Sequence, residues 1–299
     1  MLSQNCVHVG DPLSLERIRS ILIRLEDTII FGLIERAQFA HNAKMYVNGG
    51  IPELKEKGIE GSWLGWFLRE IETFHAKARR YTSLDEYPFT SNLPEPVLPP
   101  LAFPKILYKN NVNVNPSILS FYTRFIVPRI TQRATIALSA LKRSNGIVGG
   151  DECEDDANYG SAATIDVEIL QAISKRVHYG KFVAESKFRD HPAAFVPHIR
   201  SRNAAELEEL IMRRDVVQKL LTRLRRKAAT YAQEFGPDGE PIANSHLNGN
   251  AKVDVDGVVE LYENYIIPLT IEVEVDYLLQ RLDGLSEAEV EELMGTKPN

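Results

Sequence analysis

Long runs in which apolar side chains return every three or four residues dominate this sequence, and they favour a helical fold over any other. Ile18, Leu22, Leu25, Ile29 and Leu33 line one stripe of a segment that Asp11 and Pro12 open as a cap and a first-turn proline. A second helix is predicted from about Ser62 towards the pair Arg79 and Arg80, and a third from Asn115 and Pro116, kinked at Pro128. A fourth runs from about Ser161 through Phe188; others cover Ala204 to Phe235 and Asp254 to Leu285, the last bent at Pro268. Thr270 to Asp276 alternates like a strand, but the longer period on both sides assigns it to helix. Prolines crowd residues 82–104 into an extended crossing loop. Residues 144–157 read as a mobile surface loop, 236–252 as another loop, and the tail at 286–299 is expected to fray. No internal repeat stands out. The expectation is an all-α fold in which residues 1–299 form a single-domain bundle of long helices.

Acidic residues outnumber basic ones 41 to 35, so a general nucleic-acid binder is disfavoured, while a local cationic pocket is not. Cys6 and Cys153, the two cysteines, are too few and too distant for a disulfide scaffold or a metal knuckle. The first residues lack a secretory pattern and no stretch has the apolar length of a membrane span, so cytosol without a membrane partner is expected. Nucleotide, zinc-protease and serine-hydrolase motifs are missing, and the seven histidines have no ligand spacing, so neither metal nor cofactor is expected.

The positive signal is a pattern of charges on helix faces. Arg176 and Lys187 lie eleven residues apart, three turns, and so project from one face about 16 Å apart along the axis. Gly180 and Val183 lie between them, the glycine leaving room for a ligand or a crossing helix. Arg19 borders the apolar stripe of the first helix, and Thr270 and Glu274 share a face of the last. Such a set suits a small dicarboxylate, and it equally suits solvated charges on a helix surface.

Several long blocks, in order, resemble the regulated fungal and plant chorismate mutases of the all-helical class. They are IRSILIRLEDTIIFGLIERAQF, HAKARRY, NYGSAATIDVEILQAISKRVHYGKFVAESKF and IIPLTIEVEVDYLLQRL. The resemblance implies a cofactor-free Claisen rearrangement of chorismate to prephenate, on the route to phenylalanine and tyrosine, in a homodimer. By position it makes Arg19 and Arg176 carboxylate ligands, turns Lys187 and Glu274 towards the breaking ether oxygen, and lets Thr270 assist at a carboxylate. It also implies regulation by tyrosine and tryptophan at the dimer interface, through Arg79, Arg80, Asn158, Gly160, Ser161 and Thr164. One departure stands out: where the family carries an asparagine and, four residues on, a glutamate that touch substrate, this chain has Arg213 and Val217. That departure motivates the alternative of a weakened or non-catalytic relative binding aromatic amino acids or a protein partner.

Overall fold

The computed structural model describes residues 11–99, 106–147, 149–238, 240 and 251–295, and among these every extended element is helical. Helix α1 spans Leu15–Arg36 and α2 Trp63–Lys77, the latter capped by Ser62, whose hydroxyl accepts from the Gly65 amide at 3.1 Å. Asp11 does not cap α1 directly; its carboxylate accepts from Leu13 N at 2.9 Å, in the turn before the helix. Helices α3 (Asn115–Phe121) and α4 (Val127–Ser144) are joined through a π turn at Tyr122–Ile126. The central rod is α5 (Tyr159–His178) followed by α6 (Gly180–Asp190), with only Tyr179 between them. Then come α7 (Pro192–Arg200), α8 (Ala204–Ile211) and α9 (Arg214–Tyr231). A second helix–π–helix unit, α10 (Val255–Leu261), Tyr262–Ile266 and α11 (Ile267–Leu279), precedes α12 (Glu287–Gly295).

Both predicted bends take the same form. Pro128 and Pro268 have no N–H for the preceding turn and their rings crowd a carbonyl four residues back, so the chain widens by one residue ahead of each. The segments FYTRFIVP (121–128) and LYENYIIP (261–268) match residue class for residue class, a short internal repeat the periodicity alone did not expose. Each places a tyrosine, Tyr122 or Tyr262, at the first π position, and both are fully buried.

Helix α1 packs along α5 and against α9, α2 runs beside α5, and α11 lies across α5 and α6. At the centre, Asp166 of α5 accepts from Arg36 Nε at 2.8 Å, Tyr46 Oη at 2.6 Å and Tyr122 Oη at 2.7 Å. Unpaired, that carboxylate would be costly to bury; three donors pin α1 and α3–α4 to the rod. A second apolar cluster, with Phe188, Phe195, Leu207, Tyr277 and Val290, closes the other end.

Three readings need correction. The tail does not fray through 295: Ser286 and Glu289 form a reciprocal cap, with Ser286 N donating to Glu289 Oε2 at 2.7 Å, and Val290 is buried. The helix expected across Ala204 to Phe235 breaks at Met212 and Arg213, whose backbones are extended. The stretch 144–157 carries a short helix, Gly150–Cys153, that buries Cys153, and α7 lies in a stretch to which no helix was assigned. Residues 241–250, within the expected loop at 236–252, lie outside the described residues.

Candidate active site

Gly180 decides how closely α11 can approach the central rod. A Cβ there would stand 3.0 Å from Glu274 Cγ, 3.0 Å from Thr270 O and 3.1 Å from Thr270 Cγ2. Because that space is free, the Thr270 and Glu274 face of α11 lies directly on the α5–α6 joint, between Arg176 and Lys187. The expected shared face is therefore real, and the glycine admits a crossing helix.

Arg176 is 4% exposed, yet its Nε and Nη1 are buried with no hydrogen-bond partner. A guanidinium left in this state is costly for folding alone, and it is a prepared donor for an anion. Glu274 is buried beside it. Desolvation lifts its carboxyl from 4.5 to about 7, against the opposing pull of Lys187 and Arg176, so near neutrality it carries a proton much of the time. Lys187 is half-buried, and burial lowers its pKa despite Glu274, with Arg213 and Arg19 pushing in the same direction. Its Nζ donates to the carbonyl of Ile211. Thr270 Oγ1 donates to Ile266 O at 2.6 Å, leaving its lone pairs free to accept but no proton to give. Arg19 is exposed, unlike the half-sheltered position its stripe suggested, but its charge reaches Lys187. The site thus has a buried floor of Arg176, Glu274 and Thr270, Lys187 above it, and an exposed cationic rim. With two arginines, a lysine and a proton-bearing carboxyl, it can hold a small dianion and donate to a developing oxyanion.

Sequence reasoning missed two neighbours. Tyr262 Oη is buried without a partner and within the field of Arg176; its signal was the repeat shared with Tyr122. Glu26, fully buried on the apolar stripe of α1, accepts from Arg223 Nη2 at 2.6 Å and Nε at 3.0 Å, and pairs with Lys227 at 3.3 Å. A carboxylate four residues beyond Leu22 was the clue. Val217 lines a cavity of about 740 Å³ with Met212, Pro268, Ile271 and Val275, on the flank of α11 next to the one carrying Glu274.

The residues expected to hold an effector fall into two groups that one chain keeps apart. Helices α2 and α5 run in the same direction: Trp63 Nε1 donates to Tyr159 O at 3.3 Å, and twelve residues later His75 Nδ1 lies 3.4 Å from Gln171 Nε2. Asn158, Gly160, Ser161 and Thr164 sit at the first crossing, all exposed. Arg79 and Arg80 sit at the second, roughly 18 Å further along by helical rise. Arg79 adopts φ 66° and donates to Pro99 O at 3.0 Å; Arg80 donates to Gln171 Oε1 at 2.9 Å and to Glu86 Oε2 at 3.1 Å. Glu86 also accepts from Lys175 Nζ at 2.9 Å, one residue before Arg176.

A helical fold that sets a buried, orphaned arginine and a buried glutamate lifted to about 7 beside a half-buried lysine has the make-up of a binder of small organic dianions. The comparisons agree: residues 158–275 match the family model for chorismate mutase type II. The chorismate mutase of Emericella nidulans is 45% identical over 276 residues, covering 91% of this chain and 94% of its own length. Among solved structures, a chorismate mutase from Candida albicans in complex with L-Trp superposes with a TM-score of 0.77 at 37% identity, covering 93% of this chain and 95% of that one. AtCM1 with tyrosine bound in its allosteric site gives 0.73 at 38%, covering 92% and 99%. This chain belongs to the chorismate mutase family.

Proposed function

We propose that this protein converts chorismate to prephenate, an isomerisation within one molecule, and that it is a cytoplasmic enzyme regulated by tyrosine and tryptophan. One observation carries the reading: Arg176 is buried with two donor nitrogens unsatisfied, beside a carboxyl that burial lifts to about 7, so that it holds a proton about half the time at neutrality.

Chorismate is a dianion that must fold into a chair-like diaxial conformer before its C–O bond breaks and its new C–C bond forms. Arg176 and Arg19 hold the two carboxylates in that conformer, a positioning that removes much of the entropic barrier. As the C–O bond lengthens, negative charge builds on the ether oxygen, and Lys187 together with the proton of Glu274 donates to it. Thr270, whose hydroxyl proton goes to Ile266 O at 2.6 Å, packs at a carboxylate edge. Such contacts need to supply roughly 8 kcal/mol for an acceleration of about 10⁶. The test is loss of chorismate absorbance with purified protein, blocked by a bicyclic dicarboxylate mimic of the transition state. No turnover, with tyrosine or tryptophan still binding, would favour a sensor instead; Val217, which offers no hydrogen bond, is the observation behind that second reading.

Regulation requires a second copy. The two groups of effector residues lie at opposite ends of the α2–α5 face, and a two-fold axis through its middle would set Arg79 and Arg80 of one protomer against Asn158, Gly160, Ser161 and Thr164 of its partner. Exposed apolar side chains beside that face, Phe74 at 70% and Val97 at 77%, suit burial between copies. Sedimentation in the presence and absence of tyrosine tests this arrangement.

A further inference from the structure

Glu185 is a fully buried carboxylate that the proposed chemistry does not use. It lies on α6 two residues before Lys187, on the other side of the helix, and four donor bonds converge on it. Its Oε2 accepts from Tyr277 Oη at 2.6 Å and Arg281 Nε at 2.7 Å; its Oε1 accepts from Arg281 Nη2 at 3.2 Å and Arg189 Nε at 2.6 Å. Tyr277 lies in the last turn of α11, three residues after Glu274, and Arg281 follows just beyond the helix. Both are held in turn. Tyr277 Oη accepts from Tyr108 N at 2.9 Å, and the Arg281 guanidinium stands 4.6 Å from the ring centre of Phe188 and 4.9 Å from that of Tyr108.

Adhesion between α6 and α11 does not require this arrangement, because Ala184, Phe188, Val275 and Leu278 already join them in one apolar cluster. A buried carboxylate–guanidinium pair carries a desolvation cost that its own attraction barely offsets, and apolar replacements often hold a fold as well. The best-attested contribution of such a pair is a single register. Here the register is that of Lys187 and Glu274. The two helices touch at Gly180, and Lys187 lies seven residues further along α6, about 10 Å by helical rise. About that pivot, a change of roughly 10° in crossing angle moves Lys187 by about 2 Å, more than a hydrogen bond to a shared oxygen tolerates. Glu185, five residues past the pivot, ties α6 to α11 close to the level of Lys187 and blocks that swing.

We propose that Glu185, gripped by Tyr277 and Arg281, is a positioning residue for the reaction: it fixes the angle between α6 and α11, and with it the distance from Lys187 to Glu274. It touches no substrate. The inference rests on the mutase reading for the reaction, whereas the geometry belongs to the unliganded chain. Its consequence is visible at Glu274. Lys187 and Arg176 pull that carboxyl down against burial, so withdrawing Lys187 lets it rise above about 7.

The experiment compares three variants with the parent protein. Tyr277→Phe deletes one donor, and Arg281→Lys keeps the charge while losing the two-pronged grip. Val290→Ala loosens the same apolar cluster from α12 without touching the clamp. Carbon-13 NMR of labelled glutamate carboxyls, with Glu274 assigned through Glu274→Gln, reads the titration in the unliganded protein, and chorismate turnover reads the rate. Both clamp variants should titrate Glu274 higher by about half a pH unit or more and lower kcat by about tenfold, with KM changed less than about twofold. Val290→Ala should leave the titration in place even where its melting temperature falls as far. A titration unmoved in both clamp variants, one shifted equally by Val290→Ala, or a kcat equal to the parent's overturns the proposal. Should the parent protein not turn chorismate over, the mutase reading fails, while the carboxyl titration still decides the role of Glu185.

Discussion

At the scale of single residues the charges of the site make opposite demands on binding and on folding. Arg176 is the sharpest case, since its buried donors have no partner in the unliganded chain. Replacing it with leucine should raise the melting temperature by a few degrees, because an uncompensated buried charge is removed, and should reduce kcat/KM by about 10³ or more. Thermal melts and steady-state rates on one preparation check both halves of that statement. Glu274 carries the pH dependence. Its carboxyl titrates near 7 when folded and near 4.5 when free, so kcat should fall as pH rises through about 7, and Glu274→Gln, which keeps a donor at every pH, should flatten the profile. The sign for stability is the same: the folded state binds the extra proton, so the stabilisation is full below 4.5 and is lost as pH climbs through 7. Glu274→Gln should accordingly gain about 3 kcal/mol on the parent between those limits. An unchanged pH profile in the variant would remove Glu274 from the chemistry. Arg176 and Lys187 were legible as a pair because eleven residues of helix set them on one face, and Glu274 because it shares a face with Thr270; that the two faces belong to one site came from the family resemblance, not from spacing. Tyr262 and Glu26 were not, since a buried tyrosine and a carboxylate on an apolar stripe look like ordinary core residues until their partners, or the want of them, are seen.

At the scale of elements, the joint of α5 and α6 with α11 controls the geometry of the site. Gly180→Ala adds one methyl group against Glu274 and the Thr270 backbone at about 3 Å, and neither the carbonyl nor the helix can give way cheaply. We expect a loss of about 1–3 kcal/mol in stability together with a large fall in activity, measured by denaturant unfolding and by rate. Losing stability while keeping full activity would mean that α11 does not set the distance between Arg176 and Glu274. The long helices were readable because their apolar period persists over many turns, and Ser62, Asn115 and Asp254 mark where three of them start. The break at Met212 and Arg213 was hidden, because no glycine or proline announces it and the period continues on both sides. The terminal helix was missed for the opposite reason: its cap is explicit in Ser286 and Glu289, but its acidic face gives only a weak apolar stripe.

At the scale of the whole molecule, catalysis and control are divided differently. The groups proposed for the reaction site lie on α1, α5, α6 and α11 around one joint, whereas the residues proposed to hold an effector lie at two separate crossings of α2 and α5. Charge reversal at Arg80 should therefore abolish the response to tyrosine with kcat little changed. Substituting Glu86 by glutamine should do so more weakly, because it leaves Arg80 in place and breaks only the pairing that continues to Lys175. Titration of both variants with effector, at saturating chorismate, separates these outcomes.

That parallel course of two helices also makes the response a matter of how much protein is present. If the arginines of one copy must meet the asparagine and serine of another, dilution below the point where copies part should leave an enzyme that still turns over and no longer heeds amino acids. Turnover per chain would stay level along a dilution series while feedback faded.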